Sequence, residues 1–148
     1  MERKKKKKMR ISSLLFVLGI LFLQNCHNAE GQDDTRIIVN KLTIRAVNFS
    51  TMTALNVDCD KFERYFKNQY KQVVITDSDK IKQFLKIVSA SVPIDSTYSR
   101  SVDTRAKIEL NTQSDTSFIC VGHLSFFDKG RYYKTPRLLI DFIESALK

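Results

Sequence analysis

The chain has 148 residues and a formal net charge of +9, a length that allows one compact core and excludes two domains of usual size. The basic excess is concentrated at one end. Arg3, Lys4 to Lys8 and Arg10 supply seven of the 25 basic residues, and without them and Glu2 the balance is 18 basic against 15 acidic, or +3, which gives no support for nucleic acid as a partner.

The first element in chain order is the N-terminal segment. A basic block is followed directly by the 13 apolar-rich residues Ile11 to Leu23, ISSLLFVLGILFL. This has the form of a charged n-region and an h-region, and it falls short of the roughly 18 residues that span a bilayer. The position of the basic run against an apolar stretch argues for an export signal over residues 1–25 rather than a polyanion-binding patch. Two cleavage sites compete. Ala29-Glu30-Gly31 places small residues at the minus 3 and minus 1 positions, which would release a chain beginning at Gln32. Leu23-Gln24-Asn25-Cys26 resembles a bacterial lipobox, in which cleavage occurs just before a cysteine whose thiol carries lipid. With the acidic stretch that follows, residues 1–34 resemble the small, uncharacterised lipoproteins of Gram-negative envelopes. The resemblance implies location, a membrane anchor at Cys26, and no particular activity.

Residues 26–35 are polar, carry Glu30, Asp33 and Asp34 without hydrophobic period, and read as a flexible tether to a single domain over 36–148. Arg36 to Phe49 and Met52 to Val57 are rich in β-forming residues and predict two strands. Asp60-Lys61-Phe62-Glu63 has the form of a capping box, and Phe62, Tyr65 and Phe66 recur at helical spacing, predicting a short helix to about Asn68. Gln72 to Thr76 returns to strand. Asp77-Ser78-Asp79 supplies N-cap oxygens for a helix whose Ile81, Phe84, Leu85 and Val88 share one face. The D-x-D pattern lacks the further oxygen ligands and central glycine of a calcium loop, so capping is its better account.

Beyond residue 103 the period is two. Ala106, Ile108 and Leu110 alternate with Arg105, Lys107 and Glu109. Gln113-Ser114-Asp115 makes a turn, Phe118 to Phe126 reads as one long strand, Asp128-Lys129-Gly130 turns again, and Arg131 to Lys134 is a short strand. Thr135-Pro136 reads as a helix start, with Leu139, Phe142, Ile143 and Ala146 as its apolar stripe. The sum is an α+β fold: an antiparallel or mixed sheet of about six strands with three helices mainly on one face, in the order β-β-α-β-α-β-β-β-α.

Chemistry is sparse. His27 and His123 are the two histidines, no metal-ligand spacing or C-x-x-C is present, and the three glycines at or after Gly31 leave no phosphate-cradling loop. No catalytic residue, metal or cofactor is expected. With Cys26 acylated, Cys59 and Cys120 are left either to pair as a disulfide in an oxidising compartment or to pack as two separate thiols. Two places suit a ligand. The Ser-rich stretch between Val88 and Asp103 carries Tyr98 and Arg100, and the terminal hairpin gathers Arg131, Tyr132, Tyr133 and Lys134 beside Lys129 and Arg137. The expected activity is that of a non-enzymatic binding or assembly module for an envelope protein or glycan. The rivals are a secreted inhibitor-like domain and a hydrolase built on scattered residues such as Asp58, Asp60 and His123. Asn48-Phe49-Ser50 matches an N-glycosylation sequon, which matters only in a eukaryotic secretory pathway.

Overall fold

The computed structural model of the chain describes residues 38–95 and 101–148. The signal segment 1–25, both cleavage sites, Cys26, the tether 26–35, and Tyr98 and Arg100 lie outside the described residues. The described residues belong to one compact unit, Ile37–Lys148.

Six strands form one antiparallel sheet: β1 (Lys41–Ala46), β2 (Lys71–Ile75), β3 (Thr104–Asn111), β4 (Thr116–Gly122), β5 (Ser125–Asp128) and β6 (Arg131–Lys134), in the spatial order β2-β1-β3-β4-β5-β6. Among the described residues three helices accompany it: the short α1 (Phe62–Phe66), flanked by 3₁₀ turns at Cys59–Lys61 and Lys67–Gln69, then α2 (Ser78–Ser89) and α3 (Arg137–Ala146). This is the α+β class that the residue pattern predicts. Because side chains alternate across a strand, the register sorts them into two faces. Val73, Ile44, Ile108 and Ile119 stand in one row on the first face. Gln72, Arg45, Lys107, Cys120, Phe127 and Tyr132 stand in one row across all six strands on the second.

The first face holds the main core. Helix α2 starts where the Asp77 carboxylate accepts from the amides of Asp79 (3.1 Å) and Lys80 (2.8 Å), which satisfies two otherwise orphaned donors. Ile81 and Phe84 of α2, and Leu139, Ile140, Phe142 and Ile143 of α3, then bury against Leu42, Ile44, Ile108, Val121 and Phe126 of the sheet. Phe84 and Phe142 meet at 5.6 Å between ring centroids. Burial of each such side chain contributes roughly 1.5–3 kcal/mol, which is why this apolar stripe decides where both helices lie.

The element order departs from the predicted one in two places. Residues 52–57 are not a strand. Met52 and Leu55 point outward, and the polar groups of this stretch are met by the start of β3 instead of a ladder. Arg105 Nε donates to the Thr51 carbonyl (3.0 Å) and Nη2 to Thr53 Oγ1 (3.0 Å), while the Val57 amide donates to Asp103 Oδ1 (3.0 Å). The second departure splits the predicted strand over 118–126 into β4 and β5 at Gly122. A Cβ there would stand 2.7 Å from the Asp103 carbonyl oxygen and 3.1 Å from that of Ser125, so only glycine admits this close approach of three backbone segments. The observed order is β-α-β-α-β-β-β-β-α.

Two predicted caps also change role. The residues of the Asp60 to Glu63 box make no side-chain cap bond; Glu63 instead reaches the sheet. Thr135 donates its hydroxyl to the Gly122 carbonyl (3.0 Å), and α3 begins one residue later than its predicted N-cap implies, behind Pro136. Of the predicted three helices, α2 and α3 share the first face, while α1 lies against the second through Glu63 and the Cys59 link.

Candidate functional site

The second face is built from the row that ends in Cys120, Phe127 and Tyr132. Cys59, in the turn that opens the α1 segment, is bonded to Cys120, with Cα atoms 5.7 Å apart across a sequence separation of 61. From there the chain crosses the face of the sheet as a cap, residues 58–70, and leaves it at Lys71 of the edge strand β2. Phe62 and Phe66 of the cap, their rings 5.1 Å apart and tilted by 58°, bury with Val47 and Val57 in a small cluster flanked by Tyr70. Polar contacts complete the attachment. Lys107 Nζ lies 3.0 Å from Glu63 Oε1, and Arg45 Nη1 lies 3.8 Å from the same oxygen.

Arg45 also donates to Gln72 Oε1 (2.8 Å) and Glu109 Oε2 (3.3 Å). Hydrogen bonding from Asn111 and then the Arg45 guanidinium lower the Glu109 pKa against the opposing effect of burial. Lys107 also lies over the ring of the exposed Phe118, 5.1 Å from its centroid, a cation–π contact.

Beside the disulfide lies an open cleft of about 180 Å³, lined by Asp58, Cys59, Ser101, Val102, Thr104, Cys120, Phe127 and Tyr132. Phe127 and Tyr132 form one wall, their rings 5.0 Å apart and tilted by 55°. Asp58 stands on the other side as the partner of Lys61, whose ammonium pKa it raises by hydrogen bond and charge. A second opening, of about 370 Å³, runs between α2 and α3. Ile75, Ile87, Phe142 and Ala146 line it together with the exposed Leu138 and the polar Lys80, Gln83, Asp141 and Ser145. Among the described residues no group of three His, Cys, Asp or Glu side chains is arranged to hold a metal, and no helix is long and apolar enough to cross a membrane. No family model, curated protein or solved structure matches the chain.

The predicted basic hairpin does not present its four residues as one patch. Strand alternation sends Tyr133 to the first face, where it stacks on Phe126 at 5.0 Å and 14° and joins the core. Tyr132 goes to the second face and lines the cleft. Arg131 shares the side of Tyr133, and Lys134 that of Tyr132. The outer edge of β6 is partly covered as well: the Lys134 amide donates to Val92 O (2.9 Å), the Ile94 amide to Tyr132 O (2.9 Å), and Pro93 bridges to Tyr133. Of the residues suggested for a hydrolase, Asp58 lines the cleft. Asp60 is exposed in the 3₁₀ turn and His123 is exposed in the β4–β5 turn.

Sequence reasoning passed over Arg105 and Asp103, which tie residues 51–57 to the start of β3 next to the cleft-lining Val102 and Thr104. All five guanidinium donors of Arg105 are engaged, at Thr51 O, Thr53 Oγ1, Thr104 O and both Asp103 oxygens, the last two at 2.7 Å. Arg105 alternates with the apolar residues of its strand as the period predicts, but it is buried and not solvated. The available signal was the spacing Asp103-Thr104-Arg105, which puts a carboxylate and a guanidinium on the same side of an extended chain.

Proposed function

We propose that the chain is an exported protein, lipid-anchored to an envelope membrane through Cys26, whose folded domain is a non-enzymatic binding or assembly module for an envelope protein or glycan. The observation that carries the export half is the Cys59–Cys120 bridge. Disulfides persist in periplasmic, luminal and extracellular compartments and are rare where glutathione and thioredoxin keep thiols reduced. The fold therefore supports the same compartment as the basic and apolar N-terminus, from a separate part of the chain. Pairing Cys59 with Cys120 also leaves Cys26 as the one cysteine for an anchor.

The binding half is supported by the two clefts, each lined by apolar side chains beside polar groups, the usual composition of a recognition site. A hydrolase drawing on Asp58, Asp60 and His123 has less support, because the Asp58 carboxylate is paired with Lys61 and the other two residues are not in the lining of that cleft. The test is the intact mass and detergent partition of the mature protein, with Cys26→Ala alongside. The expected result is a wild-type chain that begins at Cys26 with added lipid mass and enters the detergent phase, and a variant that stays in the aqueous phase. A wild-type mass beginning at Gln32 would overturn the anchor and favour the secreted, inhibitor-like reading.

A further inference from the structure

We infer that the Cys59–Cys120 bridge is a redox latch on the cap formed by residues 58–70, and that a dithiol reductant opens the second face of the sheet without unfolding the first. The inference goes beyond the anchored-module reading and does not depend on the lipid.

The latch follows from how unequally the two faces are held. The main core joins α2 and α3 to the sheet through 17 buried residues, whereas the cap has Phe62, Phe66, Val47 and Val57 in a cluster of its own. Segments with few buried apolar contacts open locally at free energies well below that of global unfolding. Glu63 adds two ion pairs, but its side chain is 35% exposed, so water competes for it. The bridge is thus the tie that turns a weakly buried segment into a fixed one.

It is also reachable. Both cysteines line the open cleft, but Cys120 is 5% exposed while Cys59 is half-buried. An incoming thiolate therefore meets Cys59 Sγ. The new bond joins the reductant's sulfur to Cys59 Sγ, the Sγ–Sγ bond breaks, and its electron pair leaves on Cys120. The departing Cys120 thiolate later takes a proton. The reductant's second thiol then attacks the mixed disulfide, freeing Cys59 as a thiol. The protein has gained two electrons and two protons, and the dithiol has become a disulfide. What the released cap uncovers is the middle of the second-face row, Arg45, Lys107 and Cys120.

The experiment is hydrogen exchange on the folded full-length chain, oxidised and after reduction by about 10 mM dithiothreitol without denaturant, with thiol alkylation to confirm the redox state. The expected result is exchange at least about tenfold faster in peptides covering 58–70, with the protection of β1, β3, α2 and α3 retained. The Cys59→Ala, Cys120→Ala double variant should give the same pattern without reductant. A bridge that resists native-state reduction, a reduced protein whose cap keeps its protection, or loss of protection throughout the domain would each overturn the latch.

Discussion

The two faces of the sheet are closed by different physics. On the first, two amphipathic helices bury a continuous apolar surface, and order follows from the removal of hydrocarbon from water. On the second, a cap with four buried apolar side chains in its cluster is held by a covalent bond and a chain of ion pairs, and beside it a fully bonded arginine ties residues 51–53 to the start of β3. The first arrangement is non-directional and tolerant of residue identity. The second depends on particular atoms meeting, so it is where single polar substitutions carry local consequences.

The largest expected effects test this difference directly. Phe84 is fully buried against Phe142, and Phe84→Ala is expected to lower stability by about 3–5 kcal/mol through lost transfer energy and the cavity left behind. A urea titration followed by circular dichroism measures it, and the loss should be global. Arg105→Ala is expected to cost less, about 2–4 kcal/mol, because the 39% exposure of the Asp103 side chain lets water take over part of the pairing. Its distinguishing sign is regional, with hydrogen-exchange protection lost first over residues 51–57. A loss spread evenly over both faces would break the comparison.

That asymmetry also explains what could be read from the sequence. The α2 stripe, its Asp77 cap and the alternation from Ala106 to Leu110 are local patterns, and each specifies its element within a few residues. The six-strand α+β class emerges for that reason. The loop over 52–57 was illegible because its polar groups are met by Arg105 and Asp103 about fifty residues away, and nothing local distinguishes it from a strand. Likewise, the capping box over Asp60 to Glu63 is a sound local pattern that loses to a tertiary contact, since Glu63 gains two cations by facing the sheet. The cleft was half legible. Cys59, Cys120 and Tyr132 were singled out, but Phe127 was not, and splitting the strand at Gly122 is what sets it between Cys120 and Tyr132.

Smaller effects distinguish the faces through acid titration, with opposite signs. Asp128 lies on the side of β5 that carries Phe126, and burial raises its pKa above the ordinary value of 3.8 against the lowering effect of Lys129. A carboxyl raised in the folded state favours folding when protonated; that contribution is complete below 3.8 and is lost as pH rises through the folded value. Glu109, on the second face, is held below its ordinary 4.5, so its contribution is present above 4.5 and is lost as pH falls through the folded value. Asp128→Asn is therefore expected to leave stability at neutral pH unchanged or slightly higher, and Glu109→Gln to lower it there, with the difference from wild type shrinking in acid. Urea midpoints at about pH 7 and about pH 3 measure both. The same sign for both variants would contradict the assignment of burial to one carboxylate and hydrogen bonding to the other.

The smallest expected effect separates the two hairpins that bring Phe127 into the row. In the turn Asp128-Lys129-Gly130-Arg131 both central residues have positive φ, 45° at Lys129 and 80° at Gly130, the backbone of a type I′ turn whose hand matches the strand twist. Glycine adopts this without cost, but a lysine Cβ crowds the following carbonyl, a penalty that asparagine partly escapes through local hydrogen bonding. Lys129→Asn should raise stability by about 0.5–1 kcal/mol, read as a higher thermal midpoint with no change in the denaturant slope. In the neighbouring turn neither His123 nor Leu124 has positive φ, so His123→Asn has no strain to relieve and should leave the midpoint unmoved. An equal gain at both sites would mean that asparagine acts on the unfolded chain, and that turn strain plays no part in how the sheet brings Phe127 beside the disulfide.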